Sequence, residues 1–100
     1  MIMRITWGRL RAGAWSEFER TYRAKVIEGK TVKGLRGRLL VQDSRDKDAG
    51  FAISLWESLA DMEAYEQSDL YEELMATFQP FFVGEYKTYR CEVKYTDLVS

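Results

Sequence analysis

The stretch Phe51-Ala52-Ile53-Ser54-Leu55-Trp56-Glu57-Ser58 changes its hydrophobic period at its own end, and that change constrains the fold more than any other feature of the chain. Phe51, Ile53 and Leu55 fall on one face of a strand and Ala52, Ser54 and Trp56 on the other, because successive side chains of a pleated strand point to opposite faces. Ser58 then opens a helix. With Asp61 three residues on, it makes a capping-box-like start whose hydroxyl can accept a bond from an otherwise unpaired helix N–H.

Upstream, Ile2 to Leu10 alternates Met3, Ile5 and Trp7 against Arg4, Thr6 and Gly8 and is expected to be the first strand, with Gly13 breaking it. Trp15, Phe18, Tyr22 and Val26 recur at i, i+3, i+7 and i+11, one apolar stripe of an amphipathic helix. Glu19 and Arg23 are spaced for an i, i+4 ion pair on its wet side. Gly29 is placed to end it in a left-handed conformation. Gly34 to Gln42 alternates Leu35, Gly37, Leu39 and Val41 against Arg36, Arg38 and Leu40, a second strand. The charged segment Ser44–Gly50 is too short for a crossover helix, so strands two and three are expected to form an antiparallel hairpin.

After the third strand, the Ser58 helix should run to about Gln67 with Leu59, Met62 and Tyr65 inward. Ser68-Asp69 reads as a second cap, Leu70, Leu74 and Phe78 continue a helical stripe, and Pro80 stops it, so a kinked or two-piece helix is expected. Glu85 to Tyr95 returns to alternation, with Tyr89, Cys91, Val93 and Tyr95 against Thr88, Arg90, Glu92 and Lys94. This order predicts one α+β domain over residues 1–100, a ferredoxin-like βαββαβ two-layer sandwich. If the continuous apolar stripes face the helices, Arg4, Thr6, Arg36, Arg38, Leu40, Ser54, Trp56 and Arg90 gather on the uncovered face, a mixture suited to meeting a partner. Cys91, beside Tyr89 and Val93, is then expected to be a buried, inert thiol.

Composition excludes several chemistries. The chain has no histidine and no asparagine, which removes the commonest general base at neutral pH and the usual axial ligand of haem. With one thiol and no imidazole a metal site would rest on carboxylates, so no metal is expected. A single cysteine forms no internal disulfide, and no signal-like or membrane-length apolar run marks either end, which points to the cytoplasm and away from a membrane. Charge is divided along the chain: residues 1–47 carry 12 Lys or Arg against 5 Asp or Glu, and residues 48–86 carry none against 9. Either the halves face water and each other, or an acidic helix meets a basic strand across a dimer interface.

The order of elements, the Leu-Trp-Glu-Ser-Leu-Ala-Asp passage from Leu55 to Asp61 and the Tyr-Glu-Gln-Ser-Asp-Leu-Tyr run from Tyr65 to Tyr71 together resemble the antibiotic biosynthesis monooxygenase family. The resemblance spans Met3 to Val93. It implies a homodimer in which two ferredoxin-like subunits pack sheet to sheet into a dimeric α/β barrel. It also implies an activity, cofactor-independent oxygenation of aromatic or polycyclic small molecules, with no cofactor. Haem-degrading members look for an asparagine, a tryptophan and a histidine, so haem degradation is not expected here. Trp56 stands at the family's tryptophan position, and Trp7, Trp15, Tyr22, Tyr65 and Tyr89 are further candidates for pocket lining, with core packing the competing reading for each. Arg4, Arg38 and Arg90 are candidates to stabilise a phenolate or enolate by fixed charge. No residue stands out as the base, and the catalytic residues stay open.

Two readings compete with the oxygenase. One is a non-catalytic dimeric domain that binds a small hydrophobic ligand. The other is an RNA-recognition domain, since Gly50 to Trp56 also looks like the third-strand motif that stacks bases. Against nucleic acid stand Ala49 where Lys or Arg is expected, Ile53 in place of a stacking aromatic, and a pI near 5.5.

Overall fold

Two serines start two helices by the same device. In the computed structural model, which describes residues 1–27 and 31–98 with the Ile27 side chain left out, Ser58 and Ser68 both adopt extended backbone just before a helix. The Ser58 hydroxyl accepts from the Asp61 N–H at 3.1 Å, and the Ser68 hydroxyl from the Tyr71 N–H at 3.2 Å. Each bond satisfies one of the donors that a helix start leaves unpaired. The chain between them breaks at Gln67, so the expected two-piece helix is present.

The described elements run β1 (Ile2–Arg9), α1 (Trp15–Ile27), β2 (Leu35–Gln42), β3 (Ala49–Trp56), α2 (Leu59–Glu66), α3 (Asp69–Phe78) and β4 (Lys87–Glu92), with a 3₁₀ turn at Gln79–Phe81 after α3. Pro80 lies in that turn, where its missing N–H ends the α-helical ladder. The four strands form one sheet in the order β2-β3-β1-β4, every neighbour antiparallel. This is the ferredoxin-like α+β arrangement. The β2–β3 hairpin turn is held by Asp43, which accepts from the Arg45 N–H at 2.8 Å, and by Asp46, which accepts from the Asp48 N–H at 3.1 Å. The Glu19–Arg23 pair forms at 3.0 Å. The Gly29 helix stop lies outside the described residues.

The two faces of the sheet are the reverse of the sequence expectation. The face carrying Arg4, Thr6, Arg38, Ala52, Ser54 and Trp56 meets the helices. Met3, Ile5 and Trp7 of β1, Gly37, Leu39 and Val41 of β2, Phe51, Ile53 and Leu55 of β3 and Tyr89 of β4 share the other face, which no described element covers. Size is the reason. The helix layer brings Phe18, Phe78 and Phe81, all buried, with Trp15, Tyr22 and Phe82 packed around them. Side chains of that bulk need small residues beneath them: a Cβ on Gly8 would collide with the Phe82 ring, and one on Gly50 with Trp15 and the Val41 carbonyl.

Other expectations are corrected locally. Arg36 leaves the Arg38 face because a register shift between Leu35 and Gly37 makes it the extra residue of a bulge, and it pairs with Glu57 in solvent. Leu59 is 48% exposed, since the inward side of the short α2 is carried by Met62, Tyr65 and Glu66. β4 stops at Glu92 because β1 offers it no partner beyond Ile2, which leaves Tyr95 in water. Cys91 lies opposite Met3 on the uncovered face and is exposed, so the expectation of a buried thiol does not hold for the single chain. The acidic and basic halves meet within the chain, through Glu66 with Arg4, Glu57 with Arg36, and Asp61 with Lys33.

Candidate functional site

Between the mixed face of the sheet and the helices lies a partly open cavity of about 90 Å³. Its floor is built by Arg4 and Thr6 of β1, Arg38 of β2, and Ala52, Ser54 and Trp56 of β3, which alternation brings to one face. Its roof is Phe18 and Tyr22 of α1 with Leu74, Met75 and Phe78 of α3. Trp56 is fully buried. Its Nε1 donates to Ser54 Oγ at 2.9 Å, so only the indole ring faces outward from that bond. Tyr65 stacks against it at 4.9 Å between ring centroids, and Tyr71 meets Tyr65 edge-on at 5.3 Å.

One rim of the cavity is a tightly paired charge cluster. Arg4 Nε donates to Glu66 Oε2 at 2.7 Å, and its Nη2 donates to the Tyr71 hydroxyl at 2.7 Å. Arg90 Nη2 donates to the same Glu66 oxygen at 2.6 Å. Burial pushes the Glu66 carboxyl up, but the bonds from Arg90 and Arg4 outweigh it and hold the group below the ordinary carboxylate value. The Thr6 and Thr88 hydroxyls bond at 2.9 Å beside this cluster. Together these contacts tie the α2–α3 junction to β1 and β4. They also give Arg4 and Arg90 one shared carboxylate, which leaves the cluster with a net charge of +1.

Arg38 is placed differently. Among the described residues no carboxylate pairs with it, and its charge bears on the phenols of Tyr22 and Tyr65. Burial raises both tyrosines above the ordinary phenol value, with Arg38 opposing the shift. Both therefore keep their protons at neutral pH and act as donors.

Of the residues singled out from sequence, Tyr22, Trp56, Tyr65, Arg4 and Arg38 line the cavity together. Trp7 and Tyr89 do not: each sits on the opposite face, Trp7 across from Phe51 and Tyr89 across from Ile5. Arg90 reaches Glu66 instead of the cavity. Trp15 lines a second, apolar cavity of about 30 Å³ that shares Thr6, Phe18, Ala52 and Phe82 with the first. Sequence reasoning missed Glu66, Tyr71, Met75 and Phe82. The Ser68 cap held a signal for Tyr71, since the residue three past a cap sits in the first helical turn, next to the preceding helix end.

Fold and site thus define a ferredoxin-like sandwich that keeps a small-molecule cavity between its helices and the polar side of its sheet. The chain belongs to the antibiotic biosynthesis monooxygenase family, whose model matches residues 1–77. No curated protein sequence matches it. Among solved structures, SnoaB of Streptomyces nogalater, a cofactor-independent oxygenase, is similar with a TM-score of 0.81 at 12% identity, over 95% of this chain and 94% of that one. A variant of MhuD with two manganese protoporphyrin IX molecules per active site is similar with a TM-score of 0.80 at 20% identity, over 100% of both chains. A conserved protein of Methanosarcina mazei Go1 gives 0.81 at 13%, over 93% and 92%. At these identities the likeness is one of fold.

A metalloporphyrin does not fit the present cavity. The chain contains no imidazole to ligate its metal, and a cavity of about 90 Å³ is far smaller than the macrocycle.

Proposed function

We propose that this protein is a cofactor-independent monooxygenase of a small, electron-rich aromatic molecule. The observation that carries the reading is the cavity itself: an aromatic wall of Trp56 and Tyr65 faces apolar α3 side chains, with Arg38, Tyr22 and Tyr65 supplying polar groups at one side. Such a mainly apolar pocket with a few convergent polar groups is the usual form of a small-molecule site. Family membership supports oxygenation as the chemistry. A ring-activated CH2, ionised to its enolate, gives its electron pair to O2. Two C–H bonds break, a C=O forms from one oxygen, and the other leaves with both protons as water. The substrate supplies all four electrons, so no reductant is needed. The chain's part is to hold the anion and exclude bulk water.

Size narrows the substrate. A cavity of about 90 Å³ is smaller than the ~150 Å³ that accommodates benzene in an engineered core. It takes at most a single ring, and the rest of a ligand stays in the opening. The uncovered apolar face of the sheet supports a homodimer through that face, since a contiguous apolar surface of this kind marks an interaction site.

A second reading, a non-catalytic domain that binds the same class of molecule, is favoured by one feature: the cavity lacks a base. Glu66 is held ionised by two arginines, and both tyrosines are held protonated. Oxygen uptake and tryptophan-fluorescence titration with one-, two- and three-ring phenols separate the readings. Uptake with one-ring phenols supports the oxygenase. Binding without uptake establishes the second reading, and the absence of both overturns each.

A further inference from the structure

Three arginines extend from the inner face of the sheet, and they are not equivalent. Arg4 and Arg90 share the Glu66 carboxylate, and Arg4 is further occupied by the Tyr71 hydroxyl. That cluster keeps a net +1, but both of its arginines already have an anionic partner. Arg38 comes from β2, lines the cavity and has no carboxylate partner among the described residues. A half-buried guanidinium in a mainly apolar cavity is costly unless an anion meets it. The phenols of Tyr22 and Tyr65 line the same cavity, and the Arg38 charge bears on both, but they are neutral at neutral pH and bring hydroxyls without compensating charge. Guanidinium donors flanked by hydroxyl donors match the lone pairs of an oxyanion.

We infer that Arg38, with the hydroxyls of Tyr22 and Tyr65, forms a recognition site for an oxyanion carried by the aromatic ligand. The ligand is then a small aromatic anion, a carboxylate or an ionised phenol or enol, and not a neutral hydrocarbon. This rests on the cavity being the ligand site, and it adds which arginine acts and what charge the ligand brings. Arg38 also removes the need for a protein base, because a phenol bound against a fixed cation ionises more readily.

Benzoate, its neutral isostere benzamide and 4-nitrophenol test it, with binding followed by tryptophan fluorescence and the ionisation of bound nitrophenol by its absorbance. The wild-type protein should prefer benzoate over benzamide by about tenfold or more, as a charge-assisted bond of ~1.5 kcal/mol or greater requires. Arg38→Gln should abolish that preference by lowering benzoate affinity far more than benzamide affinity, and Arg38→Lys should restore part of it. Arg36→Gln, which removes an exposed charge of the bulge, serves as the charge-matched control. If bound nitrophenol ionises about one pH unit below free nitrophenol, a tenfold preference for its anion, the site accepts phenolates as well as carboxylates. An unshifted nitrophenol with the benzoate preference intact restricts it to carboxylates. Equal benzoate and benzamide affinities, or a preference that survives Arg38→Gln, overturn the role of Arg38 while the cavity stands. If no aromatic probe binds, the cavity reading falls and this inference with it.

Discussion

Trp56 and Tyr65 stack with ring centroids 4.9 Å apart, one closing β3 and the other lying on the helix that Ser58 opens two residues later. The strand-to-helix passage is thus clamped by its own ends, and Trp56 is at once core and cavity wall. Truncation to Trp56→Ala should cost about 3–5 kcal/mol, a large part of the ~5–15 kcal/mol that holds a domain together. Trp56→Asp should be largely unfolded, because it places an unpaired charge in that space. Urea unfolding followed by circular dichroism measures both. A Trp56→Asp protein that folds normally and changes only its mass in solution would put this residue in an interface and not in the core.

Glu66 gives the fold an acid limit. Its carboxyl is held below the ordinary value of 4.5 in the folded chain, so the unfolded chain takes up the proton first as pH falls. The stability it contributes is complete above the ordinary carboxylate range and is lost as pH drops through that range toward the folded value. Arg90 is half in water, so Arg4 contributes most of the effect. Glu66→Gln should lower stability at neutral pH by about 2 kcal/mol. Its deficit against the wild type should shrink as pH falls below 4.5. Urea midpoints at neutral and acid pH give the comparison, and a deficit independent of pH would contradict it.

Leu39 is 48% exposed on the edge strand β2 of the uncovered sheet face, opposite Ile53. If a second copy covers that face, light scattering of the wild type reads twice the 11.7 kDa of one chain. Leu39→Lys should then shift the mass toward a single chain while leaving the cavity lining intact, because the side chain points away from it. A wild-type protein that stays at one chain's mass at micromolar concentration removes the dimer.

Phe82 separates the cavity of about 90 Å³ from the smaller one of about 30 Å³, lining both. Phe82→Ala should merge them into one longer chamber. The cost is about 3 kcal/mol. Relative affinity for a two-ring over a one-ring aromatic carboxylate should rise by about tenfold, a gain of ~1.4 kcal/mol. Paired fluorescence titrations of wild type and variant decide the matter, and an unchanged ratio means that the wall lies elsewhere.

Local chemistry made much of this fold legible. The two serine caps, the break before α3, the Pro80 stop and the hairpin all depend on a few neighbouring residues, and each is where the sequence placed it. The side of the sheet that meets the helices was not legible, because a two-residue period separates faces without ranking them. Arg4 and Arg38 made one face look wet, whereas the deciding quantity was volume: the rings of Phe82 and Trp15 leave no room for a Cβ at Gly8 and Gly50 below them. The same inversion moved Trp7 and Tyr89 out of the candidate site and left Trp56, Tyr65 and Tyr22 in it. Arg36 parted from Arg38 through a bulge that alternation cannot register. Glu66 and Tyr71 looked like ordinary helix-surface residues until the fold set them against Arg4.

The described residues of one chain line the cavity on both its sheet side and its helix side. Two copies joined through their outer faces would hold two separate chambers, with both sheets standing between them. Neither chamber borrows a side chain from the other, so filling one leaves the other's walls as they were. Saturation would then follow a plain hyperbola with one molecule bound per chain, and a variant that lives alone would bind as well as one that lives in pairs.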